Sequence, residues 1–204
     1  KIESNEKAET RLLVGRIYQI QNDHKKAILM FNAIPRELAG VYPFHDMYYF
    51  RALSYIAQEK EALAKSDLEI FYMIGKKSDY YPEGMYEFGR ILINSSRPES
   101  GIEMLIKVWE NLEKPDLAVK SGLVLADYYL EKEPVQSVRF LEKFTDAGED
   151  ELKKKVLITL SKAYIKIGKY DKAELLLSKF TESYPFDESM DEILFLQARI
   201  NLEM

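Results

Sequence analysis

The sequence predicts an all-α fold: a right-handed α-solenoid of about five helical hairpins followed by one further helix. Three observations carry this. Six small residues, Gly15, Ala52, Gly89, Ala126, Ser161 and Ala198, fall 37, 37, 37, 35 and 37 residues apart. Apolar side chains recur at three- and four-residue steps, and nothing alternates with period two over a useful length. Glycine, proline and short polar clusters break the chain at the same phase in each copy.

The pattern is sharpest between Leu160 and Pro185, LSKAYIKIGKYDKAELLLSKFTESYP. Leu160 and Tyr164 share one face of a first helix, and Gly168-Lys169-Tyr170 makes a tight turn. Ala173, Leu177 and Phe180 share one face of a return helix, which Tyr184-Pro185 stops. Ala173 is small where the two helices cross, so they approach closely. Two antiparallel helices of this size cannot bury their apolar faces alone, and copies of the unit supply the cover.

Taken from the N-terminus, residues 1–7 are a lead-in, and hairpins follow at about 8–44, 45–81, 82–118, 119–153 and 154–186. The first has Gly15 and Tyr18, a turn at Asn22-Asp23, then Ala27, Phe31 and Ile34; Gly40 and Pro43 break the chain. The second has Ala52 and Tyr55, a turn near Glu59, then Ala64, Leu68 and Phe71, ended by Gly75. The third has Gly89 and Leu92, a turn at Ser95-Ser96-Arg97-Pro98, then Gly101, Leu105 and Val108. The fourth opens after Pro115 with Ala126 and Tyr129, turns at Lys132-Glu133-Pro134, and returns through Ser137, Leu141 and Phe144 to Gly148. Residues 187–204 form a terminal helix with Ala198 in register and Asp187 as its N-cap. It stands either as a cap on the fifth hairpin or as the start of a further repeat. Eleven helices and no sheet are expected, with turns near residues 22, 59, 96, 133 and 168. Short connections force neighbouring helices antiparallel.

Composition removes several functions. Apolar residues at 47% are ample for a core, and charged residues at 31% suit many exposed helix faces. A net charge of −5 argues against a nucleic-acid partner, which wants a basic face. With no cysteine, disulfides, thiolate chemistry and cysteine-ligated zinc are excluded. No apolar run reaches the roughly 18 residues of a membrane span. The sequence opens on Lys1 with no signal peptide ahead of it, which reads as a fragment whose targeting segment has been removed. No HExxH, GxSxG, phosphate loop or GxGxxG is present. His24 stands where the fifth hairpin has Tyr170, with no acid or nucleophile spaced to orient it. His45 follows Pro43-Phe44 in a linker and is expected at the surface. No residue is assigned to catalysis, to a metal or to a cofactor, and an enzyme is not expected.

Gly168, Tyr170, Ala173 and Pro185 together carry the pattern of the tetratricopeptide repeat, and residues 8–204 resemble an array of that family. The period exceeds the usual 34 residues, which implies about three extra residues in each linker. The family's early tryptophan is absent, with Arg11, Tyr48, Met85, Gly122 and Leu157 in its place. Other helical-hairpin repeats of similar period are the alternative fold. Phe180 to Pro185, with Tyr42-Pro43 and Tyr81-Pro82, is similar to repeats in bacterial envelope proteins, such as outer-membrane assembly lipoproteins and Tol-Pal-associated factors. That resemblance favours the periplasm or cell envelope as compartment, with the cytoplasm next.

The resemblance implies a non-enzymatic scaffold holding a peptide or partner domain in a concave groove lined by first helices. Two alternatives stay open: a structural spacer packed against other parts of its own chain, and a regulatory domain of an enzyme. The groove-facing positions lie three before each small residue, at Leu12, Tyr49, Tyr86, Leu123, Ile158 and Phe195, and one after it, at Arg16, Leu53, Arg90, Asp127, Lys162 and Arg199. The first set is an apolar ladder that either docks a partner or packs against the adjacent repeat. Tyrosine and arginine beside it are the residue types of binding hot spots, with Tyr49, Tyr86 and Arg90 expected as anchors. Residues 151–180 carry eight lysines against three acids, a net of +5 that leaves −10 elsewhere. Lys155, Lys162 and Lys166 share a helix face, either solvated or suited to an acidic segment of a partner. The family's clamp for a terminal carboxylate is not expected, because Leu12, Tyr49 and Ile158 replace its basic groups and its asparagines are missing.

Overall fold

A computed structural model describes residues 2–96, 98–111 and 113–204. Lys1 of the lead-in and Arg97 of the third turn lie outside them. Among the described residues there is no strand, and the helices run in order α1 (Ile2–Ile20), α2 (His24–Asn32), α3 (Arg36–Ala39), α4 (Asp46–Ile56), α5 (Glu61–Ile74), α6 (Tyr81–Ile93), α7 (Pro98–Trp109), α8 (Pro115–Tyr129), α9 (Pro134–Leu141), α10 (Asp150–Lys166), α11 (Tyr170–Ser183) and α12 (Met190–Glu203). Two differences from the sequence expectation are local. The first linker folds its surplus residues into the single turn α3, begun by Pro35 and stopped at Gly40, so the described residues hold twelve helices and not eleven. The fourth return helix tightens after Leu141 into a 3-10 turn over Glu142–Phe144.

All five expected turns are present, and they are built in two ways. Asn22, Glu59 and Gly168 take φ of +59°, +58° and +72°, ending α1, α4 and α10 in the left-handed region. Directly after each, the next residue's amide reaches back five residues: Asp23 to the Tyr18 carbonyl (2.8 Å), Lys60 to Tyr55 (2.9 Å) and Lys169 to Tyr164 (2.9 Å). This closing bond satisfies a carbonyl that the helix end would otherwise leave bare. The framework tyrosines therefore supply both a packing ring and the carbonyl that closes the turn. Among the described residues the third and fourth turns show no left-handed residue; Pro98 and Pro134 stand at the first position of α7 and α9, where the missing N–H costs nothing.

The small register sits where helices cross. Gly15, Ala52, Gly89, Ala126 and Ser161 are buried. A Cβ on Gly15 would lie 2.4 Å from the Phe31 ring, and one on Gly101 would lie 2.7 Å from the Gly89 carbonyl oxygen. Ser137 sits against α8, its hydroxyl donating to the Ala126 carbonyl. Ala198 is exposed, and among the described residues no return helix lies on α12.

The chain divides into two compact units, residues 1–104 and 105–204, with the division inside α7. In the first, α1 pairs with α2 and α4 with α5, α2 packs on α4, and α5 packs on α6. Arg51 on α4 forks onto Asp67 of α5 (Nε to Oδ2 2.7 Å, Nη2 to Oδ1 2.6 Å) and donates a third bond to Asn32 of α2 (2.7 Å). Gln19 of α1 donates to Ser54 Oγ of α4 (2.8 Å). In the second unit, α8 pairs with α9 and α10 with α11, α9 packs on α10, and α11 packs on α12. Ser189, not Asp187, stands at the N-cap of α12; Asp187 accepts from the Ser189 amide at 2.9 Å, closing a turn one step earlier.

His45 is buried at 2% exposure, contrary to its expected place at the surface. Phe44, His45, Asp46 and Met47 turn inward together at the start of α4, and the imidazole meets the Phe71 ring edge-on at 6.2 Å. Its Nδ1 lies 3.0 Å from Asp46 Oδ1. Burial pushes the Asp46 carboxyl up, against a hydrogen bond from Ser78 and the neighbouring imidazole.

Candidate functional site

In the first unit the ladder belongs largely to the core. Leu12 and Tyr49 are each 8% exposed. The Tyr49 ring stacks on Tyr80 (5.6 Å between centroids) and tilts against Phe50 (5.3 Å) and Phe71 (5.6 Å). Burial, with Glu83 and Glu87 nearby, pushes its hydroxyl well above the ordinary tyrosine range. Tyr49 is thus a framework residue, and it reaches no partner without the unit repacking. Arg16 lies over the Phe50 and Tyr80 rings, 4.7 and 5.5 Å from their centroids. Leu53 and Tyr86 are half-buried. Arg90 is held by Glu87 one turn back (2.8 Å) and lines a cleft of about 270 Å³ with Ile56, Glu59, Glu61, Ile91 and Asn94. Tyr80, absent from the expected set, is central to this cluster. It stands in the linker before α6, and no repeat position marks it.

In the second unit the expected residues converge more fully. Asp127, Lys155, Ile158 and Lys162 line one cleft of about 500 Å³ between α8, α10 and the start of α12, together with Lys154, Thr159 and Asp187. Lys162, Lys166, Phe195 and Arg199 line a second of about 330 Å³, with Leu130, Ile165 and Leu196. Leu123 and Ile158 are each 8% exposed, whereas Phe195, at the same register position, is 68% exposed. A ladder residue is buried by the next first helix, and among the described residues none follows α12.

The lysine face is not an open positive stripe. Lys155 pairs with Glu151 (3.4 Å), Lys162 with Glu192 (2.6 Å) and Lys166 with Glu131 (2.7 Å). Lys154 pairs with Asp187 (2.6 Å), and this contact with the Ser189 amide holds the Asp187 carboxyl down to about 2. Glu131 comes from the turn after α8 and Glu192 from α12, so a count along the chain misses them. With its charges met inside the protein, the face supplies no reason for a partner to be acidic.

Residues 155–187 match the family model of the tetratricopeptide repeat. The solved structure of PilF from Pseudomonas aeruginosa is similar to this chain at a TM-score of 0.67, over 98% of this chain and 91% of that one, with 15% identity, which is a likeness of fold. No curated protein matches the chain. Proteins of this repeat family typically serve as non-enzymatic scaffolds that bind other proteins. No helix among the described residues is long and apolar enough to cross a membrane. Residues 155–187 thus carry a tetratricopeptide repeat, and the chain around them folds as in-phase helical hairpins of the α-solenoid class.

Proposed function

We propose that the chain is a scaffold holding an extended segment of a partner protein against α8 and α10. The supporting observation is the cleft of about 500 Å³ that gathers Asp127, Lys155, Ile158 and Lys162, with charges of both signs on its walls. Carboxylates and ammonium groups already paired within the chain still offer free lone pairs and N–H bonds to a peptide backbone. Attraction over distance is small, so affinity for the partner varies little with salt. The test is to capture the partner from source cells by cross-linking and then measure its affinity for Asp127→Ala/Lys155→Ala. Both side chains are exposed, so the helical signal stays. Affinity falls about tenfold or more, roughly 1.4 kcal/mol, while Glu182→Ala, on α11 and outside the lining of the cleft, binds as before. Normal binding by the double variant rejects this cleft as the site.

The Phe180 to Pro185 segment supports a setting within a bacterial envelope assembly. Fractionation of source cells checks it, and recovery of the chain only from the cytosol removes it.

A further inference from the structure

Two titratable side chains lie buried side by side where the first linker enters α4. His45 and Asp46 are 2% and 6% exposed, and His45 Nδ1 stands 3.0 Å from Asp46 Oδ1. Both atoms are closed off from water, and neither has a further hydrogen-bond partner. Around the pair stand Tyr42 of the same linker, edge-on to the imidazole at 5.6 Å, and Phe71 of α5. The segment after α5 adds Ser78, which hydrogen-bonds the Asp46 carboxyl, and Asp79, a second negative charge. Among the described residues no lysine or arginine pairs with Asp46, so its counter-ion must come from His45.

An imidazolium beside a carboxylate, or an imidazole beside a carboxylic acid, is neutral as a pair. Removing one proton from either arrangement leaves an imidazole beside a carboxylate. That is a net negative charge held out of water, with Asp79 close to it. An uncompensated buried charge is far costlier than a neutral buried pair. Lifting the linker returns both groups to water and removes the cost. Burial holds the Asp46 carboxyl above its ordinary value. Such a group stabilises the fold at low pH and ceases to do so as pH rises through its folded value. We propose that His45 and Asp46 form a proton-held latch: while the pair is neutral, residues 41–46 stay folded under Phe71, and loss of one proton as pH rises loosens this linker from the second hairpin. The release is local, because α2 and α4 pack on each other directly.

Four backbone bonds report the motion. The amides of His45, Asp46, Met47 and Tyr48 donate to the carbonyls of Val41, Pro43, Phe44 and His45, each at 3.1 Å. The experiment is amide hydrogen exchange of the purified chain from about pH 4 to about pH 8, the span in which carboxyl and imidazole groups titrate. Rates are corrected for the pH dependence of exchange in free peptides. Protection of the four amides is expected to fall at least tenfold across the span, while that of Leu68 in the middle of α5 holds. The ring NMR signals of His45 change with the same midpoint. In Asp46→Asn, of nearly the same shape and without the charge, protection no longer falls as pH rises. Protection that stays flat in the parent, falls as far in the variant, or falls equally along α5 overturns the proposal. If the variant does not fold, the parent decides: a ring midpoint apart from that of the four amides overturns the latch, and a shared one upholds it.

Discussion

Gly101→Ala tests the closest helix approach in the first unit. A Cβ at this position would stand 2.6 Å from the Ile93 backbone nitrogen, 2.7 Å from the Gly89 carbonyl oxygen and 3.0 Å from the Leu92 carbonyl carbon. Ordinary contact begins near 3.4 Å, so α6 and α7 must part by up to 0.8 Å. All three atoms are backbone, and no side-chain rotation relieves the clash. Overpacking of this kind costs about 1–3 kcal/mol and sometimes more. Alanine returns about 1 kcal/mol through its higher helix propensity, so the clash is expected at the upper end and the net loss near 2 kcal/mol. For a chain of this length that lowers the melting temperature by about 4–8 °C. Gly40→Ala is the control, with nothing within 4 Å of its Cβ and φ at −93°, and it leaves the melt unchanged or slightly raised. Differential scanning calorimetry reads both. A Gly101→Ala protein melting at or above the parent would refute the close crossing and, with it, the packing reason for the small register.

The left-handed turns carry paired tests. Gly168→Ala meets nothing within 4 Å, so its loss of about 1 kcal/mol in urea unfolding is purely conformational. Glu59→Gly relieves the same strain and gains about 0.5 kcal/mol, after the extra freedom glycine has when unfolded. Asp67→Ala strands the Arg51 guanidinium, whose side chain is 15% exposed, and costs about 3–5 kcal/mol; replacing both residues by leucine recovers most of it, as chemical denaturation of the single and double variants shows. Tyr49→Ala removes a ring at the centre of three aromatic contacts and costs about 3–5 kcal/mol, with near-ultraviolet circular dichroism lost alongside. The Asp187 carboxyl, held down to about 2 by Lys154 and the Ser189 amide, gives a contribution to stability that is complete above about pH 4. That contribution fades as pH falls toward 2. Carboxyl NMR titration follows the group, and Lys154→Met returns its midpoint toward the ordinary value.

The repeat was legible because helix crossings demand small side chains at fixed phase. Gly15, Ala52 and Ser161 cannot be enlarged freely, so their spacing survives whatever else varies along the chain. The turns were legible for a similar reason: Gly168, Pro98 and Pro134 each meet a backbone demand that few residues meet. Which face a ladder residue serves was not legible. Ile158 and Phe195 share a register position, but one is covered by α12 and the other is bare, and spacing says nothing of what stacks on top. The pairing of the lysine face was not legible, because its partners, Glu131 and Glu192, lie about thirty residues away in either direction. The burial of His45 was not legible either, because the linker that carries it folds under Phe71.

The polar clamps have a consequence for cooperativity. In a linear array, stability divides into a term for each hairpin alone and a term for each boundary between neighbours. Gln19 to Ser54 and Arg51 to Asn32 both cross from the first hairpin to the second, and the Tyr164 hydroxyl donates to Glu142 across the boundary between the fourth and fifth. Lys179 with Asp146 crosses that boundary again. Such bonds leave the single hairpin no stronger, but they penalise every state in which one hairpin is ordered and its neighbour is not. The first and second hairpins therefore melt together, as do the fourth and fifth, and a hairpin cut free from either pair loses more than its own share of the fold.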